Sequence, residues 1–235
     1  MAPDTSRPPL PGDSGPPPRG DSRPSSRGDS DPAVPGSAAT EPPAARLTDT
    51  GPTAPDPRGF VIWLTGLSGS GKSTLSERIA HDLAARHVPV ELLDGDEVRE
   101  FLSKGLGFSR EDRDRNVLRI GYVATLLAAH GVVAIVAAIS PYRDTRNQVR
   151  DMAKRFVEVH VDCALEHVEA RDVKGLYARA RRGEIQNFTG ISDPYEPPES
   201  PEIRVDSGTQ TVEESLALIM TWLEQHAFIP ARTTA

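Results

Sequence analysis

Lys72 and Ser73 close an eight-residue stretch, Gly66-Leu67-Ser68-Gly69-Ser70-Gly71-Lys72-Ser73, that fits G-x-x-x-x-G-K-[S/T]. This spacing serves to hold a polyphosphate. The glycines let the backbone turn tightly and bring its N–H groups up to anionic oxygens with no Cβ in the way. A lysine in this place reaches the β- and γ-phosphates, the serine hydroxyl ligates Mg²⁺, and Thr74 continues the same phosphate-facing turn. ATP with Mg²⁺ is therefore the expected nucleotide.

Two further groups carry chemistry. Asp94-Gly95-Asp96 sets two carboxylates two residues apart around a glycine. Such a pair can divide the work of phosphoryl transfer, one carboxylate holding Mg²⁺ through water and the other orienting or deprotonating an acceptor hydroxyl. The residues leave open which does which; an isolated Asp-Gly-Asp reads as a plain turn, but at the end of a buried strand after a P-loop the functional reading is favoured. The stretch from Arg171 to Gly183 is the most basic window of a chain whose net charge is −7. It reads either as a solvated face or, with its flanking glycines, as a lid that closes over phosphates and excludes water. Phe188, alone in a polar loop, either stacks on a base or anchors that loop to the core.

The elements that must position these residues alternate. Phe60–Thr65 is apolar and reads as a buried strand, followed by a helix from about Ser73 with Leu75, Ile79 and Leu83 at helical spacing. Val90–Asp94 is a second strand ending in the carboxylate pair, and Glu97–Ser103 a short helix. Asp112–His130 is a longer helix stopped by Gly131, and Val132–Ile139 a β-branched strand buried on both faces. Tyr142–Lys154 reads as a helix, Phe156–Asp162 as a strand, Ala164–Arg171 as a helix, Glu202–Asp206 as a fifth strand and Thr211–Gln225 as a terminal helix. Strands separated by helices predict an α/β fold of the P-loop NTPase, nucleoside-monophosphate-kinase-like class. Its five-stranded, mostly parallel sheet carries helices on both faces and a basic lid. Ligands bind such sheets at the carboxyl ends of the strands, and the P-loop, Asp94, Asp96 and Ser140 all fall there.

Composition divides the 235 residues unevenly. Residues 1–58 hold most of the 22 prolines and no apolar run, so a disordered tail is expected there. Its two Arg-Gly-Asp-Ser repeats read as compositional chance. Residues 59–229 form the expected kinase domain. The acidic balance argues against a nucleic-acid or membrane-surface role. One cysteine, Cys163, excludes an intramolecular disulfide framework and is expected to be a small half-buried filler. With no apolar leader and no membrane-length run, the expectation is a soluble cytoplasmic protein. No guanine-reading Asn/Thr-Lys-x-Asp element occurs, and the glycine loop is longer than a dinucleotide fingerprint. A small-molecule kinase leads, with a non-catalytic nucleotide-binding regulator as the rival.

Beyond the P-loop, several stretches occur in an order that resembles the adenylylsulfate kinase (APS kinase) family. They are Leu93-Asp-Gly-Asp-Glu-Val-Arg99, Leu106-Gly-Phe-Ser-Arg-Glu-Asp-Arg113 with Asn116, and Ile139-Ser-Pro-Tyr-Arg143. Further on come Arg171-Asp-Val-Lys-Gly-Leu-Tyr177, Phe188-Thr-Gly-Ile191 and Pro194-Tyr-Glu-Pro-Pro198. The resemblance spans about residues 59 to 226. It implies transfer of the ATP γ-phosphate to the ribose 3′-hydroxyl of adenosine 5′-phosphosulfate (APS), giving PAPS in sulfate activation. It further implies that Asp96, Arg99, Phe108, Arg113, Asn116, Ile139, Ser140, Lys174, Leu176 and Phe188 bind the acceptor. By the same resemblance Arg171 joins the P-loop on the ATP side, Asp96 orients the 3′-hydroxyl, and Asp94 with Ser73 supports the metal. Ser140 matches a serine that members of the family can carry as phosphoserine, although hydrogen bonding to substrate suffices as its role. A homodimer and a functional link to ATP sulfurylase are implied as well. Ala138 stands where the family commonly has phenylalanine, which puts the local packing in doubt.

Overall fold

The computed structural model describes residues 59–231; the expected tail, with its repeats, lies outside the described residues. Five strands make one sheet: β1 (Phe60–Thr65), β2 (Val90–Asp94), β3 (Val133–Ala137), β4 (Phe156–Asp162) and β5 (Ile203–Asp206). Their order is β2-β3-β1-β4-β5, and every pairing is parallel. β1 lies at the centre, where Ile62 is in register with Ile135 on one side and Val157 on the other. All six of its side chains are buried, as its unbroken apolar run requires.

The period of two sorts the strand residues between two cores. Phe60, Ile62 and Leu64 pack with Leu75, Ile79 and Leu83 of α1 (Lys72–Ala85) and with Ile219, Met220 and Leu223 of α7 (Val212–Gln225). Val61 and Trp63 face the other way, onto Val98 of α2 (Gly95–Phe101), Val117, Ile120 and Ala124 of α3 (Arg110–Ala129), and Val149 of α4 (Arg143–Met152). Each buried Leu or Ile contributes roughly 1.5–3 kcal/mol. Gly121 lets α3 and α4 come together, since a Cβ there would sit 2.5 Å from Val149 Cγ2.

The helix ends are set by local chemistry. Ser109 caps α3, accepting from the Asp112 N–H at 3.2 Å. Thr211 and Glu214 form a reciprocal capping box on α7, worth about 1 kcal/mol. Two boundaries differ from expectation in ways that bear on the site. β3 stops at Ala137, the last residue in register with β1, and the apolar run to Ile139 continues as a rim turn. Thr65 Oγ1 donates to the Ile139 carbonyl at 2.8 Å across that turn. The helix expected from Glu97 begins at Gly95, because Asp94 accepts from the Asp96 N–H and serves as its N-cap. Asp-Gly-Asp is the first turn of a helix, with Asp96 in it.

The basic window starts at the last residue of α5 (Leu165–Arg171) and folds as a turn through Asp172 and Gly175 followed by the six-residue α6 (Leu176–Arg181). A third apolar cluster of Cys163, Val168, Tyr177, Ala180 and Phe188 seats this lid. No helix among the described residues is long and apolar enough to cross a membrane.

Candidate active site

The P-loop runs from the end of β1 into α1. Gly66 there has φ 154, and a Cβ on it would lie 2.4 Å from the Val161 carbonyl oxygen, so the loop tolerates no other residue at that point. Lys72 is folded back along the loop: its Nζ donates to the carbonyls of Gly66 at 3.0 Å and Leu67 at 2.7 Å. Burial draws its pKa down to about 8, against the attraction of Asp96 and Asp94. Ser73 Oγ donates to Asp94 Oδ2 at 3.0 Å, while Asp94 Oδ1 takes the Asp96 N–H at 2.9 Å. One carboxylate thus joins the end of the P-loop to the start of α2.

From Asp94 the chemistry continues to the acceptor side. Asp96 Oδ2 accepts from Lys174 Nζ at 2.6 Å, and that hydrogen bond raises the lysine pKa. The Arg99 guanidinium lies 4.3 Å over the Phe108 ring and that of Arg113 5.6 Å from it. Burial and the charge of Arg113 lower the Arg99 pKa. Arg113 also donates to the Phe108 carbonyl at 3.1 Å and to the Asn187 carbonyl. Asn116 is buried, and its Oδ1 finds no hydrogen-bond partner among the described residues. All these groups line one cavity of about 310 Å³, together with Thr74, Ile139, Ser140 and Leu176. A wider hollow of about 650 Å³ opens at the end of β4 between Leu67, His160, Cys163 and the loop through Tyr195. It has neither the lysine nor the paired carboxylates.

Some expected site residues stand elsewhere. Gly66, Ser70 and Leu67 shape the loop from behind, and Leu67 faces the wider hollow. Arg171 donates to the Ser207 carbonyl at 2.8 Å, outside the carboxylate cavity. Phe188 is buried edge-on against Tyr177, ring centroids 5.0 Å apart, so here it anchors the lid loop. Ser140 lines the cavity, yet it is only 2% exposed and its Oγ accepts from Trp63 Nε1 at 3.0 Å and donates to Thr65 Oγ1 at 3.1 Å. In this structure that hydroxyl belongs to the framework. Ala138 is buried in the apolar cluster with Val98 and Val136 and also borders the carboxylate cavity. Cys163 is buried too, more deeply than expected.

The family profile described as Adenylylsulphate kinase matches residues 58–206. The chain belongs to the adenylylsulfate kinase family. It is 56% identical over 172 residues to the adenylyl-sulfate kinase of Synechococcus sp. strain JA-3-3Ab, covering 73% of this chain and 98% of that one. It is 58% identical over 177 residues to a probable bifunctional SAT/APS kinase of Sorangium cellulosum, covering 75% of this chain and only 30% of that relative's length. The Mycobacterium tuberculosis APS kinase solved with AMPPNP and APS superposes with a TM-score of 0.69 at 42% identity, over 72% of this chain and 99% of that one.

Three residues of this kinase escaped the sequence reading. Asp172 accepts from the N–H groups of Tyr177 and Ala178 at 3.0 Å each, which lowers its pKa and fixes the start of α6. Tyr177 donates its hydroxyl to the Ser68 carbonyl at 2.8 Å. Arg146, 2% exposed, donates to Glu158 at 2.9 Å and to the carbonyls of Ser140 and Glu196 at 2.6 Å each. Asp172 and Tyr177 both lie in the Arg171–Tyr177 run, which marked the stretch without giving their roles; Arg146 gave no signal.

Proposed function

We propose that the kinase transfers the γ-phosphoryl group of ATP to the ribose 3′-hydroxyl of adenosine 5′-phosphosulfate, releasing ADP and PAPS. The observation that carries the assignment of roles is the unbroken chain Ser73–Asp94–Asp96–Lys174, which runs from the P-loop to the lid across one cavity. The donor set fits magnesium: a serine hydroxyl and a carboxylate, with no cluster of three or more acidic, histidine or cysteine ligands among the described residues. Mg²⁺ takes one or two such protein oxygens and fills its shell with phosphates and water. Ser73 and, through water, Asp94 would hold the ion that neutralises charge on the β- and γ-phosphate oxygens.

Lys72 leaves the Gly66 and Leu67 carbonyls for the β/γ-phosphates. Asp96 exchanges its partner Lys174 for the 3′-hydroxyl, aligns it and receives its proton as the new O–P bond forms and the bridge to the β-phosphate breaks. Lys174, Arg99 and Arg113 supply cations for the phosphosulfate, Phe108 a face for the adenine, and the orphaned Asn116 Oδ1 an acceptor for a nucleotide N–H or O–H. Most of the rate enhancement then comes from alignment and electrostatics.

A reaction that consumes ATP beside a single buried thiol suits the cytoplasm. The fused relative supports a link to the sulfurylase reaction that makes the acceptor, and a homodimer is the proposed assembly, checked by solution mass. Residues 59–229 are proposed as the catalytic domain. Removing residues 1–56 should leave turnover within about twofold. The deciding experiment is coupled ADP release with ATP, Mg²⁺ and a panel of acceptors. Turnover with adenylylsulfate is expected; turnover only with sugar or nucleoside alcohols, or none at all, overturns the proposal.

A further inference from the structure

The lid segment touches both halves of the site through different side chains. On the acceptor side, Lys174 Nζ holds Asp96. Three residues on, the Tyr177 hydroxyl holds the carbonyl of Ser68 in the P-loop. Between them the turn is closed on itself: Asp172 takes the Tyr177 and Ala178 N–H groups, and the Gly175 N–H donates to the Asp172 carbonyl at 2.8 Å. Lys174 and Tyr177 are therefore tied into one hydrogen-bonded turn. A second path starts from the same tyrosine. Its ring, 3% exposed, abuts Phe188; the neighbouring Asn187 carbonyl takes the Arg113 guanidinium, which borders the acceptor cavity.

The P-loop end of this connection lies next to the lysine that a triphosphate would attract. Lys72 Nζ lies on the Leu67 carbonyl, one peptide before the carbonyl that Tyr177 grips. Drawing the ammonium onto a triphosphate would remove one of the two hydrogen bonds on the Leu67 carbonyl, leaving the Ser70 N–H at 3.2 Å, and so loosen the Leu67–Ser68 peptide.

We propose that Tyr177 is a positioning residue that couples the two nucleotide sites, transmitting occupancy of the P-loop to Lys174 and Arg113 and back. The proposal rests on the assignment of ATP and adenylylsulfate to the two halves of the cavity. A tyrosine that merely fills the lid core predicts the same burial but no link between the two affinities. Coupling must also be reciprocal, each ligand changing the other's affinity by one common factor.

The test is calorimetric titration of the full chain with AMPPNP, which cannot transfer its terminal phosphoryl group, with and without saturating adenylylsulfate, and then in the reverse order. In the wild-type protein each ligand should shift the other's Kd by about fivefold or more. Tyr177→Phe keeps the ring against Phe188 and loses the Ser68 bond; its coupling factor should fall to within about twofold of unity while it still binds each ligand alone. Asp172→Ala loosens the tie between Lys174 and Tyr177 without altering either, and should lower the factor as well, so the idea stays testable if one variant folds poorly. A factor undiminished in both variants, or near unity in the wild type, overturns the coupling. Failure of adenylylsulfate to bind the wild-type protein at all overturns the acceptor assignment instead, and the coupling with it.

Discussion

Two ion pairs flank the site, and they are nearly opposite in character. Arg146 and Glu158 meet at 2.9 Å with side chains 2% and 8% exposed; Lys174 and Asp96 meet at 2.6 Å with side chains 61% and 79% exposed. The buried pair is part of a larger set. Arg150 joins Glu158 at 3.2 Å and Glu202 at 2.6 Å, and Arg146 also takes the carbonyls of Ser140 and Glu196. All three guanidinium nitrogens of Arg146 donate to the protein, so the group holds the rim turn and the Pro-rich loop in place. The exposed pair gains little from its own attraction in water. Both its members can exchange each other for substrate, which is what a site needs and a frame does not. Short contact distance therefore says nothing about role; burial and competing partners do.

The sharpest way to break this contrast is Arg146→Met. Removing one member of a buried pair strands the other charge, and a loss of about 3–5 kcal/mol is expected in urea unfolding. A loss under about 1 kcal/mol would place Arg146 with the exposed pairs. Asp96→Asn is the opposite case. It should lower kcat by about a hundredfold or more, since alignment and charge are the main catalytic terms, with the unfolding midpoint nearly unchanged. Near-normal turnover would remove Asp96 from the mechanism, and Lys72→Ala is expected to behave likewise.

His160 sharpens the buried side further. It lies in β4 with its ring stacked on Tyr195 at 6.0 Å, and burial lowers its pKa below 6.5 despite Asp162 nearby. Because the unfolded chain takes up this proton at higher pH than the folded one, the contribution is full above 6.5 and is lost as pH falls from there towards the folded pKa. Acid should therefore destabilise the wild-type protein more steeply over that window than His160→Gln, as read from unfolding midpoints across pH. Parallel slopes for the two proteins would remove His160 from the account.

The same contrast explains what the sequence made legible. The P-loop and the carboxylate pair stood out as particular residues at fixed spacing, and the structure brings them to one cavity. β1, β2 and β4 were placed to the residue, as unbroken or alternating runs bounded by turns. The end of β3 was not, because Ala138 and Ile139 are as apolar as the strand they follow, and only the register with Leu64 marks where pairing stops. The frame was hidden for a similar reason. Phe156-Val-Glu-Val-His-Val-Asp alternates like a strand with one solvated face, yet Glu158 and His160 are buried beneath Arg146 and Tyr195. A pattern of charge shows which face is polar; it does not show that another polar layer covers it. Phe188 and Arg171 missed the cavity because a motif match fixes identity and order along the chain, while the lid's packing fixes where the side chain points.

The smallest expected effect is the most discriminating. Lys174→Ala removes an ion pair of ordinary length, and an argument from distance alone would have it cost as much as the loss of Arg146. Both partners are mostly in water, however, so Asp96 is resolvated when the lysine goes and no charge is left stranded. The unfolding free energy should change by less than about 0.5 kcal/mol. Turnover should nevertheless fall by about tenfold or more if Lys174 supplies charge at the phosphosulfate, because that interaction is made in the occupied site. Measured together, the two readouts separate frame from machinery: stability lost with turnover kept would move the lysine into the frame. The expected split, stability kept and turnover lost, means that the hydrogen bond between Lys174 and Asp96 occupies places that the reactants take over.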